Sequence, residues 1–337
     1  MISAVVLLSL LQDESALRRL EREIQAVLDK VRPSVVQVTT VLSLESGQPV
    51  EELNFSGVVY SKDGHVVTVA SGVDQASEIR VVAPGGRSAR ARHLASDRRT
   101  GVAVLRVELP GLVPAALAEE PARPGCTAIA VGNALGARGS AAVGSVTACG
   151  LSALLKGRRY DDLLQVTSPV QPGDGGAFVA DAAGRLIGLV HAGAEPQAEA
   201  SPRGSLLPLF DKSERDVKGA AAGSGFATAA AWVRFSADRI IKHGRMVRGW
   251  AGLSARPRSD AGPGVEILRV EHEGPARRAV LAAKDVVLEF DGQAVKDVDG
   301  LRWTVAQAET PRKVQVLILR DGERKTLELE IEIDPQR

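Results

Sequence analysis

Short apolar runs, rich in valine and separated by charged or glycine-containing turns, dominate residues 34–227. This pattern predicts many short strands. The first six are Ser34–Val41, Gly57–Tyr60, Val66–Ala70, Glu78–Val82, Arg90–Leu94 and Val102–Val107. After a Pro- and Ala-rich connection, six more are Thr127–Gly132, Gly144–Leu151, Leu163–Val166, Phe178–Ala180, Arg185–His191 and Gly225–Ala227. Two consecutive sets of six strands predict two small antiparallel barrels, so catalytic groups would lie in the cleft between them.

Two helices are predicted beside the barrels. Asp13–Lys30 places apolar residues at helical spacing opposite Glu and Arg, and Pro33 ends the helix. Ala231–His243 has a similar amphipathic pattern and would close the second barrel. Residues 193–222 are polar and mixed in charge, which is typical of a long surface loop.

The pattern changes at Gly249, where a separate unit of roughly 90 residues, an ordinary domain size, begins. Its predicted strands are Ala251–Ser254, Val265–Val270, Val286–Phe290, Lys313–Leu319 and Thr326–Ile333, and its predicted helices are Pro275–Leu281 and Val298–Gln307. The sequence therefore predicts one domain at residues 13–245 and a second at residues 246–337.

The composition argues against several classes of function. The 337 residues include 42 basic and 41 acidic side chains, a net charge of +1, and aromatic residues make up 3%. Neither value favours nucleic acid or an anionic membrane as the main partner. No phosphate-binding glycine loop or metal-ligand cluster stands in the sequence, so we expect neither a cofactor nor a metal.

The N-terminal sequence leaves two predictions for the compartment of the protein. The apolar run Ile2–Leu11 is too short to span a bilayer as a helix, so no membrane span is expected. Residues 1–12 are a candidate signal peptide, which would export the chain; the alternative is an apolar leader on a cytoplasmic protein. Cys126 and Cys149 lie in consecutive strand-like runs, where they would form a disulfide in an oxidising compartment or stay as two buried free thiols.

Six segments, taken in order, resemble the HtrA/DegP family of trypsin-like serine proteases with a PDZ domain. They are Val31–Val36, Ser61–Thr68, Asp97–Leu105, Ala130–Asn133, Gly144–Ala148 and Tyr160–Gln165. The resemblance runs from about Val27 to Ile333, with residues 193–222 as the main departure. It implies a mostly β fold, a two-barrel trypsin-like domain of the chymotrypsin fold followed by an α+β PDZ domain, and protein quality control in the periplasm.

The resemblance also locates the three catalytic positions of the family, and none carries the required side chain. The histidine position is Ser71 and the aspartate position is Gly101. In the nucleophile loop, residues 173–176, the serine position is Gly175 without a gap or Asp174 with one deletion. A serine cannot accept a proton near neutral pH as an imidazole does, and a glycine offers no nucleophile.

The remaining features of that loop do not restore catalysis. Its backbone amides would form a remnant oxyanion hole, and the Asp174 carboxylate would oppose the charge that develops there. A remnant of this kind supplies about 10³–10⁴-fold over water, far below a working protease. Neither His65 nor His191 has a serine or cysteine at a convincing partner position, so no substitute site is predicted.

Residues 248–253 resemble the loop that binds C-terminal carboxylates in the PDZ domains of this family. Glycines let successive backbone N–H groups converge on a carboxylate, and the following strand offers an edge for a peptide strand. Val280 and Lys284 replace two family glycines. The implied peptide-binding residues are Gly249, Trp250, Ala251, Gly252, Leu253, Leu301 and Val305. The alternative is a domain that packs on the barrels and takes no peptide.

The sequence thus predicts a catalytically inactive pseudoprotease that binds peptides, protein C-termini or unfolded segments as a scaffold, chaperone or regulator, with an active HtrA-type relative as a further partner. One alternative is an active serine endopeptidase with a displaced or misaligned triad, and another is a purely structural subunit. Family members often form trimers through N-terminal aromatic residues. Because none precedes Phe55, a homo-oligomer stays an open expectation.

Overall fold

The computed structural model describes residues 15–43, 49–155, 158–193, 216–217, 224–260 and 262–335. The chain divides into two compact units, Met1–Ile241 and Lys242–Arg337. The candidate signal peptide and most of the 193–222 loop lie outside the described residues, so both stay predictions. Among the described residues, no helix combines the length and apolar character needed to cross a membrane.

The first unit opens with helix α1, Ala16–Val31, close to its predicted bounds. The Ser15 hydroxyl accepts a hydrogen bond from the Arg18 amide, which caps the first turn. Leu28 and Val31 are buried, whereas Leu17 near the start is 77% exposed. The apolar stripe of α1 therefore packs on the domain only over its last turns.

The first barrel is closed and antiparallel, as the valine-rich runs predict. Its strands are β1 (Val35–Ser43), β2 (Pro49–Val59), β3 (His65–Val69), β4 (Glu78–Val82), β5 (Ser88–Asp97) and β6 (Val102–Val107), in the order β1-β2-β3-β6-β5-β4. Helix α2, Ala70–Val73, follows β3 directly. Val36, Val38, Val66 and Leu105 fill the interior. Small β-branched side chains suit so narrow a barrel because they pack on a pleated surface with little rotamer freedom to lose.

The second barrel contains β7 (Thr127–Gly132), β8 (Ser140–Leu155), β9 (Arg158–Val166), β10 (Phe178–Ala180), β11 (Leu186–Gly193), β12 (Asp216–Val217) and β13 (Gly225–Ala229). Its order is β12-β8-β7-β10-β11-β13-β9, and the additional pairing of β8 with β9 closes a ring of six strands. Helix α3, Ala230–His243, buries Trp232 and Phe235. The Tyr60 hydroxyl of the first barrel donates to Asp238 at 2.5 Å, so α3 holds the two barrels together.

The second unit is a seven-stranded sheet with two helices. Its strands are β14 (Gly249–Trp250), β15 (Leu253–Pro257), β16 (Val265–Val270), β17 (Val286–Phe290), β18 (Gln293–Ala294), β19 (Arg312–Arg320) and β20 (Glu323–Ile333), and its helices are α4 (Pro275–Arg278) and α5 (Val298–Gln307). The order is β14-β20-β19-β17-β16-β15, with β18 paired to β17. Strand β15 is therefore an edge strand.

Several sequence expectations need correction. The predicted strand Ala251–Ser254 begins two residues too early and ends three too early, because β15 runs from Leu253 to Pro257. Helix α4 is shorter than Pro275–Leu281, since Val280 adopts a positive φ of 59° that no helix continues. Both cysteines are free, but Cys126 is exposed and Cys149 is half-buried, so the expectation of two buried thiols is wrong.

Candidate functional site

Ser71 lies at the rim of the first barrel, in the short helix α2 that follows β3. Its side chain is exposed. The preceding residue, Ala70, donates its backbone N–H to the Gly101 carbonyl at 2.8 Å. The predicted histidine and aspartate positions are therefore neighbours in space, joined by one backbone hydrogen bond.

Gly101 stands in a tight turn between β5 and β6 and has no room for a side chain. Its φ of +68° is a left-handed conformation. A Cβ atom at Gly101 would lie 2.1 Å from Cε1 of His191 and 2.7 Å from Cε1 of Tyr160. The imidazole of His191 thus fills the space that an aspartate side chain would need.

The turn beneath that ring is held by polar contacts. The Gly101 amide donates to the Asp97 carbonyl at 2.7 Å, and the Asp97 side chain is buried. Ser236 of α3 donates its hydroxyl to Asp97 Oδ2 at 2.7 Å and lies 3.0 Å from the Thr100 hydroxyl. Buried hydrogen bonds of this kind fix a backbone, so the position of Gly101 is well determined.

His191 is bound in place as a hydrogen-bond donor. Its Nε2 lies 2.7 Å from the Thr100 carbonyl and 2.7 Å from the Thr228 hydroxyl, which itself donates to the same carbonyl at 2.8 Å. A carbonyl can only accept, so Nε2 carries a proton in this arrangement. Burial lowers the pKa of His191 to about 4, against the raising effect of the Thr100 hydrogen bond. The ring is therefore neutral and is not placed as a base.

The nucleophile loop is anchored on both barrels. Ser56 of β2 donates its amide to the Gly175 carbonyl at 2.8 Å, and Gly176 donates to the Val190 carbonyl at 2.7 Å. A Cβ atom at Gly175 would meet Val69 Cγ2 at 3.2 Å and the His191 carbonyl at 3.4 Å. Position 175 therefore points toward the end of β3, where Ser71 follows, and toward the strand that carries His191.

Asp174 points elsewhere. Its Oδ2 accepts the Gln171 amide at 2.9 Å, and its Oδ1 lies where a side chain on Gly132 would have to go. Burial raises the pKa of Asp174, and the Gln171 hydrogen bond opposes that shift. The carboxylate is thus tied to the base of its own loop, away from the contacts that Gly175 makes.

Two amides of this loop are available to a ligand. Among the described residues, no carbonyl accepts the backbone N–H of Gly173 or of Gly175. These are the groups from which a remnant oxyanion hole would be built. The structure therefore brings together the three predicted positions and two free amides, all without a catalytic side chain.

One set of catalytic residue types escaped the sequence reasoning. His93 Nε2 lies 2.8 Å from Ser96 Oγ, and Ser96 Oγ donates to Asp74 Oδ1 at 2.5 Å. The irregular register between His93 and Ala95 is a bulge, which brings residues three apart onto one face of β5. A bulge has no clear sequence signal, so pattern analysis could not find this cluster.

The order of hydrogen bonds in that cluster does not suit acyl transfer. The serine proton is directed at the carboxylate of Asp74, so His93 donates to Ser96 and does not accept from it. A working triad has the imidazole between the serine and the carboxylate. His65 also has a serine partner, since Ser61 Oγ lies 2.8 Å from its Nδ1. The expectation that His65 has no such partner is wrong.

The predicted carboxylate-binding loop of the second unit has two free amides. Gly249 and Trp250 pair with Ile333 and Glu332 of β20. The amides of Ala251 and Gly252 donate to no backbone carbonyl among the described residues. These two N–H groups immediately precede the free edge of β15, where an added peptide strand would begin.

The other predicted groove residues differ in exposure. Leu253 and Val305 are half-buried and pack on the domain core, whereas Leu301 is 4% exposed and belongs to that core. Position 249 has no room for a side chain, because a Cβ atom on Gly249 would lie 2.1 Å from the Val305 carbonyl oxygen of α5. Leu253 and Val305 therefore offer more surface to a ligand than Leu301.

The positions of the two replaced family glycines are now clear. Val280 has a φ of 59° and Lys284 a φ of 74°, both in the left-handed region that favours glycine. Both residues lie between α4 and β17, outside the loop 248–253. No group of three or more metal-ligating side chains occurs among the residues that the structure describes.

Comparison with known proteins supports both units. The family model of the trypsin-like peptidase domain matches residues 55–189, and that of the PDZ domain matches residues 249–331. The chain is 28% identical over 282 residues to a probable periplasmic serine endoprotease DegP-like of Halomonas elongata, covering 81% of this chain and 55% of the relative. It is 26% identical over 340 residues to the periplasmic pH-dependent serine endoprotease DegQ of Escherichia coli. That match covers 91% of this chain and 69% of DegQ.

Solved structures agree. HtrA-type protease AlgW with tripeptide superposes with a TM-score of 0.73 at 27% identity, covering 92% of this chain and 97% of that one. HtrA-type protease AlgW with decapeptide superposes with a TM-score of 0.70 at 26% identity, covering 92% of this chain and 98% of that one. The chain spans about half the length of the Halomonas relative. Because both domains, their order and the fold agree, the chain belongs to the HtrA/DegP-like family, with a trypsin-like peptidase domain followed by a PDZ domain.

Proposed function

We propose that this protein is a catalytically inactive HtrA/DegP-like protein that binds peptides or unfolded segments through its PDZ domain. It would act as a scaffold, chaperone or regulator in protein quality control. The observation that carries the proposal is the imidazole of His191 over Gly101, which leaves no space for the family's aspartate. The packing of the domain around Gly101 would thus exclude the catalytic aspartate.

The two other positions agree with this proposal. Ser71 has no ring nitrogen to take a proton, and Gly175 has no hydroxyl, although its direction toward Val69 and His191 favours it over Asp174 as the former nucleophile position. Without base and nucleophile, the free amides of Gly173 and Gly175 would bind a carbonyl oxygen but could not start acyl transfer.

Peptide binding rests on the edge strand and the free amides. The edge of β15 can accept a peptide as a further strand, and the amides of Ala251 and Gly252 suit a terminal carboxylate. Half-buried Leu253 and Val305 would contact an apolar side chain of that peptide. AlgW, a relative of similar fold, has been solved with a tripeptide and with a decapeptide.

Inactivity is tested with a fluorophosphonate probe and an unfolded, fluorescently labelled protein substrate, with an active DegQ preparation as the positive control. We expect neither covalent labelling nor cleavage by the pure protein. Labelling together with cleavage would overturn the proposed inactivity, whatever the PDZ domain binds.

Peptide binding is tested by fluorescence anisotropy with labelled decapeptides that end in an apolar residue. We expect Val305→Gln to weaken binding about tenfold, as loss of an apolar contact of about 1.4 kcal/mol would. Amidation of the peptide C-terminus should weaken it further. Leu268→Gln, another change from an aliphatic side chain to glutamine, lies on β16 at a side chain 41% exposed; it is the control and should bind as the parent does. Equal binding of free-acid and amidated peptides would refute the carboxylate site.

An active endopeptidase with a displaced triad is the second candidate. The Ser96–His93–Asp74 cluster contains the required residue types, but its hydrogen bonds place Ser96 between His93 and Asp74, so the imidazole would have to reorient. If the protein is labelled by the probe, Ser96→Ala decides between this cluster and any other serine. Loss of labelling in Ser96→Ala would establish a displaced catalytic site, whereas unchanged labelling would exclude the cluster.

The compartment and the assembly belong to the same proposal. The names of the Halomonas elongata and Escherichia coli relatives describe them as a probable periplasmic and a periplasmic endoprotease, and we infer that this chain is exported too. Fractionation of cells that express the full-length protein tests its export. Light scattering of the pure protein, alone and mixed with an active HtrA-type relative, tests both the homo-oligomer and the mixed complex.

A further inference from the structure

A pocket of about 260 Å³ lies between the two barrels of the trypsin-like unit. Its walls come from β1, from the turn after β4 and from residues 133–139 of the second barrel. Arg32 and Arg138 both line it, and none of the described lining residues carries a carboxylate.

Arg32 reaches the pocket along the backbone of Gly139. Its side chain is half-buried, and its Nε donates to the Gly139 carbonyl at 3.3 Å. Within the described part of the chain, no acidic side chain forms an ion pair with Arg32. The terminal nitrogens of this guanidinium are therefore available to a ligand.

Arg138 lines the same pocket and directly precedes Gly139. Its side chain is exposed, and one terminal nitrogen lies 3.9 Å from the Cβ position of Gly86, so it reaches across to the turn after β4. Among the described residues, it too makes no ion pair. Two guanidinium groups that share a pocket without a carboxylate repel each other, and an anion between them would relieve that repulsion.

The rest of the pocket selects the kind of anion. Val35, Val82 and Pro84 provide an apolar wall, and the Gln37 side chain, whose Nε2 donates to Asn54 Oδ1, adds a polar group. Guanidinium groups match the planar geometry of carboxylate and phosphate oxygens. We propose that this pocket binds a small organic oxyanion, a phosphate monoester or a carboxylate, that carries a compact apolar group.

The test is calorimetric titration of the full chain at low ionic strength with phenyl phosphate, benzoate and inorganic phosphate. Phenyl phosphate or benzoate should bind with a Kd of about 1 mM or tighter. Which of the two binds more tightly identifies the anion as phosphate or carboxylate. Inorganic phosphate should bind at least tenfold more weakly, because it does not use the apolar wall.

Arg138→Gln removes one guanidinium from an exposed position and should weaken binding about tenfold, as loss of a charge-assisted hydrogen bond does. Arg32→Gln should do the same. Arg92→Gln on β5, an exposed arginine outside the pocket, loses the same charge and should bind as the parent does.

Two results would overturn the proposal. One is absence of heat from all three probes up to 10-fold above the expected Kd. The other is equal weakening by Arg138→Gln and Arg92→Gln, which would mean attraction by net charge alone. Circular dichroism confirms folding of each variant, and Arg138→Gln decides the matter if Arg32→Gln does not fold.

Discussion

Gly101→Ala is the substitution that tests most directly the inference that no side chain fits at the predicted aspartate position. Alanine adds one methyl group, at a point 2.1 Å from His191 Cε1 and 2.7 Å from Tyr160 Cε1. Two aromatic rings would have to move, and the backbone would hold an L-residue at a φ of +68°.

The expected cost has two parts. An L-residue in the left-handed region costs about 1–2 kcal/mol. Overpacking a filled interior costs about 1–3 kcal/mol. The free energy of unfolding of the trypsin-like unit should therefore fall by about 2–5 kcal/mol, a large share of the roughly 5–15 kcal/mol typical of a folded domain.

Gly125→Ala isolates the backbone part of this cost. Gly125 has a φ of +90°, and its Cβ position has no neighbour within 4 Å. That variant should lose only about 1–2 kcal/mol. The packing part is measured by a double-mutant cycle, in which His191→Ala is combined with Gly101→Ala. The coupling should be favourable by about 1–3 kcal/mol.

The assay is urea unfolding followed by the fluorescence of Trp232. Trp232 is buried in α3 and is the one tryptophan of the first unit, so a Trp250→Phe/Trp303→Phe background makes the signal specific to it. Equal losses for Gly101→Ala and Gly125→Ala, or no coupling with His191→Ala, would refute the reasoning. Either result would mean that the His191 ring does not occupy the aspartate space.

Three further predictions concern the same site. Because burial lowers the pKa of His191 from 6.5 to about 4, the unfolded chain binds more protons in that range, so stability should fall as the pH drops from 6.5 toward 4. The loss should approach about 3 kcal/mol and be absent in His191→Gln, and unchanged pH profiles of urea unfolding would contradict it. Burial raises the pKa of Asp174, so its contribution to stability should decline as the pH rises from the usual aspartate range through the raised value. Asp174→Asn should therefore be more stable than the parent at neutral pH, and a less stable variant with an unchanged pH profile would show that the Gln171 hydrogen bond dominates. The triple variant Ser71→His/Gly101→Asp/Gly175→Ser should stay unlabelled by a fluorophosphonate while His191 is in place, and labelling of a folded triple variant would disprove the steric argument.

The strand pattern of both barrels followed from the sequence because its signals are local. Valine-rich runs broken by turns such as Asp63-Gly64 specify strands regardless of their distant partners. Val280 and Lys284 show the limit of that approach, since both continue an acceptable sequence pattern yet take left-handed backbone angles. The family resemblance marked both as replaced glycines, but only the structure shows that they keep the left-handed backbone that favours glycine.

The same division holds for the site. Local motifs were enough to predict the order of the two domains, and they place the predicted catalytic positions at Ser71, Gly101 and Gly175 or Asp174, because each position is counted from a nearby motif. Three relations became visible only in the folded chain: His191 covers Gly101, Gly175 rather than Asp174 faces the end of β3, and Arg32 and Arg138 share a pocket. These relations join residues far apart in the chain, and they depend on strand register and barrel closure, which are set by long-range packing.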